Sequence, residues 1–265
     1  MQNKLLKIIP VAFVLLFSAC SLLPGQTDET KTWSAAKLYS EARDELAAGG
    51  YDKAIQHFEK LESRYPFGTY AQQAQMEIAY AYYRQNDQPQ ALAAVTRFIK
   101  LHPNHPNVDY MYYLRGLINF NDKLGMFDFV IKQDFTERDP KAAREAFDSF
   151  KQLAERFPDS VYTKDAILRM KYLVNAMAQY EVHVANYYFR RGAYLAAANR
   201  AQTAVTEYRE APAIEEGLFV MMRAYQELGL TELRDDAERV LRKNYPDSVF
   251  FKGGRVKTDP WWKLW

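Results

Sequence analysis

A phrase that recurs along the chain constrains its fold more than any other feature. In the first copy, Ala54, Phe58 and Leu61 are spaced for one face of a helix, and Pro66 follows where that helix must end. Because the same helical unit recurs, the sequence indicates a repeat architecture. The phrase returns as Ala91, Val95, Phe98 and Pro103, and then as Ala146, Phe150, Leu153 and Pro158.

Small residues recur in step with this phrase. Two helices approach closely only where one side chain is little more than a methyl group, and each predicted helix hairpin carries a glycine or alanine at two matching depths. Subtracting 54 from 91, or 66 from 103, gives a period of 37 residues, close to the ~34 residues of tetratricopeptide repeats. We therefore predict an all-α tetratricopeptide-repeat solenoid of about five helix-turn-helix repeats. The small pairs are Ala42 with Ala54, Ala79 with Ala91, Gly116 with Ala146, and Ala185 with Ala197.

Two irregularities divide the predicted solenoid into halves. Gly116 and Ala146 lie 30 residues apart, where the other small pairs lie 12 apart, so the third repeat carries an insertion near 121–140. This insertion is rich in aromatic and aliphatic residues, and it either folds back on the solenoid or covers a partner. From Val161 to Arg191 there is no glycine or proline, which predicts one helix of ~28 residues and ~42 Å. We expect this helix to join repeats 1–3 (33–160) to repeats 4 and 5 (161–248).

The two ends of the chain lie outside the repeats. Lys4 and Lys7 precede an apolar run and then Ser18, Ala19 and Cys20, the pattern of a bacterial lipoprotein signal. We predict a signal peptide over 1–19, lipidation of Cys20 and a flexible tether over 20–32; the alternative is an uncleaved anchor with a buried cysteine. The C-terminal tail, 249–265, is rich in tryptophan, and its role stays open between a cap on the last repeat, a partner contact and a membrane contact. Its tryptophans are Trp261, Trp262 and Trp265.

Composition excludes some classes of partner. Without Lys4 and Lys7 the chain has 33 basic and 33 acidic residues, so it has no net attraction to nucleic acid. The single cysteine cannot form an internal disulfide. A lipid on Cys20 would place the folded part on the periplasmic face of the outer membrane, because serine rather than aspartate follows that cysteine.

The chain lacks the motifs of common catalytic sites. Ser34 and Lys37 have the spacing of a penicillin-binding serine and lysine, but the accompanying motifs are missing, so Ser34 is predicted to cap a helix. His102 and His105 each precede a proline, and no third ligand has metal spacing, which favours a polar turn over a metal site. We predict no catalytic residue, no metal and no cofactor apart from the lipid on Cys20.

The repeats themselves offer a binding surface. In tetratricopeptide repeats the first helix of each pair lines a concave groove, and counting from the small residues identifies which side chains face it. The resulting set is aromatic with polar hydroxyls, which suits an extended peptide that carries aromatic side chains. The alternative is that these aromatics pack against the insertion or the next repeat. The predicted groove residues are Tyr39, Arg43, Gln73, Met76, Tyr80, Tyr83, Tyr110, Tyr113 and Phe120.

Several longer phrases are more specific than a generic repeat. Over about 33–246, insertion included, the chain resembles the BamD (ComL-like) lipoproteins of the outer-membrane β-barrel assembly machine, while Phe17 and the tryptophan-rich tail fall outside that pattern. The phrases are Arg64-Tyr65-Pro66-Phe67-Gly68 with Tyr70, Gln72 and Gln73; His105-Pro106-Asn107 with Asp109-Tyr110; Leu114-Arg115-Gly116; Arg138-Asp139-Pro140; Tyr180-Glu181; and Asn199-Arg200.

This resemblance implies a scaffold rather than an enzyme. The N-terminal half would recognise the C-terminal signal of unfolded barrel proteins, and the C-terminal half would dock a POTRA domain of BamA beside the other lipoproteins of the machine. Arg200, with Arg190 and Arg191 nearby, is the predicted dock, since a guanidinium forks onto a carboxylate; the alternative is a solvated helix face. Two rival functions stay open, a tetratricopeptide factor of cell-wall or division machinery and a tethered hydrolase.

Overall fold

The computed structural model describes residues 28–120 and 140–253. Within these ranges the chain is helical, with two short 3-10 helices, Glu29–Thr32 and Val249–Lys252, and no strand. The α-helices are α1 (Ala35–Ala47), α2 (Tyr51–Arg64), α3 (Thr69–Arg84), α4 (Gln88–Leu101), α5 (Val108–Asn119), α6 (Pro140–Arg156), α7 (Thr163–Arg190), α8 (Tyr194–Glu207), α9 (Ile214–Glu227) and α10 (Thr231–Asn244). The predicted all-α helical-repeat solenoid is confirmed.

The small residues lie where the helices of each hairpin meet. Ala42 and Ala54 are fully buried between α1 and α2, and Ala185 and Ala197 are fully buried between α7 and α8. Gly116 on α5 is the tightest of these positions, because a Cβ there would lie 2.3 Å from the ring of Phe150 on α6. The pairs therefore set how closely the two helices of a repeat approach.

The structure describes the turn inside four of the hairpins, and each of these four turns contains a left-handed residue. Gly49, Gly192 and Gly229 have φ values of +83°, +74° and +72°, and each follows the first helix of its hairpin. In the second hairpin the corresponding residue is Asn86, with φ +61°. Glycine and asparagine are the residues that adopt this conformation at least cost, so the turn chemistry repeats along with the helices.

The long helix has the length that the sequence predicts. Helix α7 has 28 residues, which corresponds to ~42 Å, and it packs against α6, α8 and α9. Helix α8 has 14 residues, half as many as α7. A neighbour of that length covers only part of α7, and Leu168 and Tyr172 in its N-terminal half are 65% and 48% exposed.

The described residues form two compact units. The first, 28–74, contains α1, α2 and the start of α3 around a core that includes Leu38, Phe58 and Leu61. The second, 75–253, contains the remainder of α3 and all later helices, and its largest core cluster includes Phe150 and Leu173. Helix α7 lies entirely in the second unit.

The N-terminal segment differs from the prediction. Residues 28–32, which the sequence assigned to the flexible tether, are instead ordered, because Asp28 caps the 3-10 helix and its carboxylate contacts Lys60 and Arg64 on α2. Ser34 caps α1 as predicted, since its Oγ accepts a hydrogen bond from the backbone N–H of Lys37. The predicted signal peptide, Cys20, the insertion at 121–139 and the tryptophans of the tail lie outside the described residues.

Candidate partner-binding surfaces

The predicted groove residues of the first unit are only partly exposed. Tyr39 is half-buried, with its ring centroid 5.8 Å from that of Phe58 and 5.4 Å from that of Tyr70. Arg43 and Gln73 are exposed. In this unit the surface therefore combines one tyrosine that is seated on the core with two polar side chains that reach solvent.

Helix α3 contributes a row of half-buried side chains in the second unit, Met76, Tyr80 and Tyr83, which we call the α3 row. All three pack on the cluster formed around Ala79 and Val95. The rings of Tyr80 and Tyr83 lie 6.4 Å apart, and the guanidinium of Arg84 donates to the hydroxyl of Tyr80 at 2.8 Å. The α3 row keeps part of each side chain accessible, so it has the chemistry that contact with an aromatic peptide requires.

The row on α5, formed by Tyr110, Tyr113 and Phe120 and called the α5 row, is partly covered by Tyr162, which immediately precedes α7, and by residues of α7. The ring of Tyr162 lies 5.5 Å from that of Tyr110 and stacks on that of Tyr113 at 4.9 Å. Burial, reinforced by the nearby Glu77, raises the pKa of Tyr110 well above its usual value. Tyr162 therefore covers part of each ring, and both tyrosines stay half-buried, as Tyr80 and Tyr83 do.

A hydrogen-bonded chain fixes Tyr113 against α7. Its hydroxyl donates to Oδ2 of Asp165 at 2.6 Å, and Nε of Arg169 donates to the same oxygen at 2.5 Å. Burial and the bond to Asp165 both raise the pKa of Tyr113. Burial acts to raise the pKa of Asp165 as well, but the hydrogen bonds from Tyr113 and Arg169 outweigh it, so that pKa is lowered.

Phe120 is not a groove residue, which corrects the prediction. Only 7% of its surface is exposed, and its ring lies 6.1 Å from that of Phe150 and 5.7 Å from that of Tyr172. The guanidinium of Arg169 covers the ring at 4.8 Å. The physical reason is that Arg169 and Tyr172, in the first three turns of α7, pack on Phe120 just after the end of α5.

Arg200, the residue predicted to dock the partner, forms an ion pair with Glu181 of the same chain. Nη1 of Arg200 donates to both carboxylate oxygens of Glu181 on α7, at 3.1 and 3.4 Å, and the hydrogen bonds to Glu181 raise the pKa of Arg200. Glu181 is only 4% exposed, whereas 44% of the Arg200 side chain is accessible. Arg190 and Arg191 are exposed, and the guanidinium of Arg191 lies 5.2 Å from the ring centroid of Tyr187.

The sequence analysis did not identify Glu181 as the ion-pair partner of Arg200. The signal was present, because Ala178, Val182 and Ala185 mark the buried face of α7 and Glu181 falls among them. A carboxylate on a buried face requires a cationic partner. Arg200 supplies that partner.

The histidines near the end of α4 make local contacts. Nε2 of His102 lies 3.0 Å from Oε1 of Gln75, and Nδ1 of His105 accepts from the backbone N–H of Asn107 at 3.1 Å. Both rings pack near Phe98, and burial together with the neighbouring His102 lowers the pKa of His105.

Across 28–120 and 140–253, no group of three or more histidine, cysteine or acidic residues is arranged to hold a metal ion. In the same ranges, no helix has both the length and the apolar character needed to cross a membrane.

Taken together, the repeats, the half-exposed tyrosines and the arginine-bearing helices define a class: an all-α helical-repeat protein with surfaces suited to binding other proteins. A family model described as YfiO, an outer membrane lipoprotein, matches residues 31–241. The chain belongs to this family, the BamD outer membrane protein assembly factors.

Individual relatives agree over nearly the full length. The chain is 45% identical to the outer membrane protein assembly factor BamD of Neisseria meningitidis serogroup A over 97% of its own length and 98% of that protein. It is 37% identical to BamD of Vibrio cholerae, with 88% and 95% covered, and 38% identical to BamD of Xylella fastidiosa strain Temecula1, with 90% and 83% covered. Among solved structures, the crystal structure of MamA protein is similar with a TM-score of 0.39 and 14% identity. The similarity covers 85% of this chain and 98% of that one.

Proposed function

We propose that the chain is a lipid-anchored scaffold subunit of the outer-membrane β-barrel assembly machine, on the periplasmic face of the outer membrane. The observation that carries this proposal is the 45% identity to a BamD protein over 97% of the chain. The scaffold binds unfolded barrel proteins, docks BamA and sits beside the other lipoproteins of the machine. It performs no catalysis and needs no cofactor other than the lipid on Cys20.

The α3 row is the part of the second unit that we assign to barrel precursors. Met76, Tyr80 and Tyr83 are half-buried, so they are held in place by the core while part of each side chain stays accessible. Aromatic rings that carry hydroxyls suit an extended strand ending in an aromatic residue, because they offer both apolar area and hydrogen bonds. In the first unit, Tyr39, Arg43 and Gln73 are proposed to act in the same way.

Arg200 is the residue that we assign to the BamA dock. Both hydrogen bonds to Glu181 use Nη1, and 44% of the side chain is accessible, so a carboxylate of a POTRA domain can approach the other N–H groups of the guanidinium. Glu181 orients the guanidinium before the partner arrives, which lowers the entropic cost of binding. Arg190 and Arg191 add positive charge at the C-terminal end of α7, nine and ten positions beyond Glu181.

The dock is tested best by a pair of variants that perturb the same ion pair. Arg200→Lys keeps the charge but removes the planar fork, and we expect about tenfold weaker binding to a purified POTRA domain. Glu181→Gln removes the negative charge but keeps a side-chain oxygen that accepts from the guanidinium and orients it, so it should leave binding within about twofold. Equal losses in both variants would show that the pair only maintains the fold. Undiminished binding by Arg200→Lys would remove Arg200 from the dock.

The scaffold role as a whole is tested by identifying the proteins that copurify with the chain. We expect the chain, isolated from detergent-solubilised envelope, to bring BamA with it. Recovery of peptidoglycan enzymes instead would favour the rival cell-wall function, and turnover after addition of metal ions would favour a hydrolase.

The lipid anchor has its own test. Cys20→Ala should release the protein from membranes, and unchanged fractionation would contradict lipidation.

A further inference from the structure

The turn between α2 and α3 exposes an unusual amount of aromatic surface. Phe67 is 90% exposed and Tyr65 is 38% exposed, and Pro66 lies between them. Gly68 follows with φ +98°, so the backbone holds Phe67 at the tip of a tight turn. A phenylalanine ring that is almost wholly exposed gains by burial, so Phe67 is available to an apolar surface outside the chain. We call residues 65–68 the aromatic turn.

The start of the described chain is fixed beside this turn. The carboxylate of Asp28 contacts Nζ of Lys60 at 3.1 Å and the guanidinium of Arg64, and the same guanidinium donates to the backbone carbonyl of Thr30. The side-chain hydrogen bond from Thr30 and the bond from Lys60 hold the pKa of Asp28 well below its usual range. These contacts attach the N-terminal segment to the last turn of α2, one residue before the aromatic turn begins.

A second contact extends this attachment to the turn itself. The hydroxyl of Tyr65 donates to the backbone carbonyl of Trp33 at 2.9 Å. The indole of Trp33 is in turn held between the ring of His57, at 5.8 Å, and the ammonium of Lys37, at 4.5 Å. Trp33 therefore supports the turn, and Phe67 is the ring that remains uncovered.

The length of chain before Asp28 brings the aromatic turn close to any lipid on Cys20. Seven residues lie between Cys20 and Asp28, and the eight Cα–Cα steps that join the two span at most ~29 Å when fully extended. A tether of that length gives a surface contact an effective concentration in about the millimolar range, so even a weak contact is occupied. This step rests on the proposed function, because it needs the acylated cysteine.

We propose that the aromatic turn is a second membrane contact, in which Phe67 enters the interfacial region of the leaflet that holds the Cys20 lipid. Phenylalanine gains burial there, and the amphipathic ring of Tyr65 suits the headgroup level. The exposed charges nearby, Glu29, Lys31 and Lys37, do not favour anionic lipid strongly. Apolar burial therefore drives the contact, and it persists at high salt. The contact fixes which end of the first unit faces the membrane.

The experiment uses the full, acylated chain in vesicles of phosphatidylethanolamine and phosphatidylglycerol. Cys20 is the only native cysteine, so Phe67→Cys places the one free thiol on the turn and takes an environment-sensitive fluorophore. Ala48→Cys is the matched control, because Ala48 is exposed at the opposite end of the α1–α2 hairpin, about 21 Å away along α2. We expect a blue shift and strong quenching by headgroup-level quencher lipids at position 67, neither at position 48, and no change at high salt.

Three results would overturn the proposal. Equal quenching at both positions, in protein that carries the acyl mass and floats with the vesicles, would exclude the contact while leaving the anchor intact. A blue shift at position 67 that requires an aromatic-ended barrel peptide, with or without vesicles, would make the turn a peptide surface. An unmodified Cys20 in the mature protein would remove the anchor and the contact together.

Discussion

The α3 row and the α5 row have the same sequence pattern but different surroundings. Counted from the small residues Ala79 and Gly116, Met76 is equivalent to Tyr113 and Tyr83 is equivalent to Phe120. Met76, Tyr83 and Tyr113 are all half-buried, whereas Phe120 is enclosed by Phe150, Tyr172 and Arg169. The comparison teaches that position within a repeat decides which face a side chain occupies, while contacts from a later helix decide whether that side chain stays accessible.

The largest effect should come from removing the ring at the closed end of the α5 row. Phe120→Ala deletes a side chain that Phe150, Tyr172 and Arg169 enclose, so we expect a loss of about 3 kcal/mol in the free energy of unfolding, measured by denaturant titration. The equivalent Tyr83→Ala should cost less than about 1 kcal/mol. Similar losses in the two variants would mean that both rows are core.

The next effect concerns the close approach of α5 and α6. Gly116→Ala places a methyl group against the fully buried ring of Phe150, and we expect a loss of about 2 kcal/mol despite the ~1 kcal/mol that alanine gains in a helix. Gly217→Ala on α9 is the control, because the nearest atom to its Cβ is a methyl of Val182 at 3.3 Å. A lower melting temperature in the control than in Gly116→Ala would contradict the claim that the close approach of α5 and α6 requires glycine at position 116.

A smaller effect should come from the hydroxyl that joins the α5 row to α7. Tyr113→Phe removes one of two hydrogen bonds to Asp165 and should cost about 1 kcal/mol at neutral pH. A carboxyl whose pKa is lowered in the folded state contributes stability above its unfolded value of about 4, and this is lost as pH falls through the folded value. The acid-side decline of stability should therefore be shallower in the variant. An unchanged profile between neutral and acid pH would show that the bond to Asp165 contributes no linkage.

Sequence periodicity predicted the fold well, because helix formation depends on residues close in sequence. The small residues at the helix contacts also recur at a fixed spacing within each hairpin. The 28-residue helix followed from a stretch without glycine or proline, and the cap at Ser34 followed from its position. The surfaces were less predictable. The burial of Phe120 depends on Tyr172, which lies 52 residues further along the chain, and no local pattern encodes that contact.

Two further misses have the same cause. Asp28 and Thr30 looked like tether residues because their neighbours lack periodicity, but Arg64 and Lys60, more than 30 positions away, hold them in place. Arg200 stays the proposed dock, and what the sequence did not identify is its internal partner Glu181, which appears there only as a charge on a buried face. Each miss involves an ion pair or ring contact between separate helices, where hydrophobic spacing carries no information.

The central claim is that the α3 row is an accessible binding surface, while Phe120 at the end of the α5 row is core. The direct test is calorimetric titration of a peptide with the aromatic C-terminal end of a barrel protein into the wild-type chain and into the Tyr80→Ala, Tyr83→Ala double variant, with melting recorded for both. We predict about tenfold weaker binding by the double variant and a nearly unchanged melting temperature. Unchanged affinity, or a melting loss as large as that of Phe120→Ala, would contradict the claim.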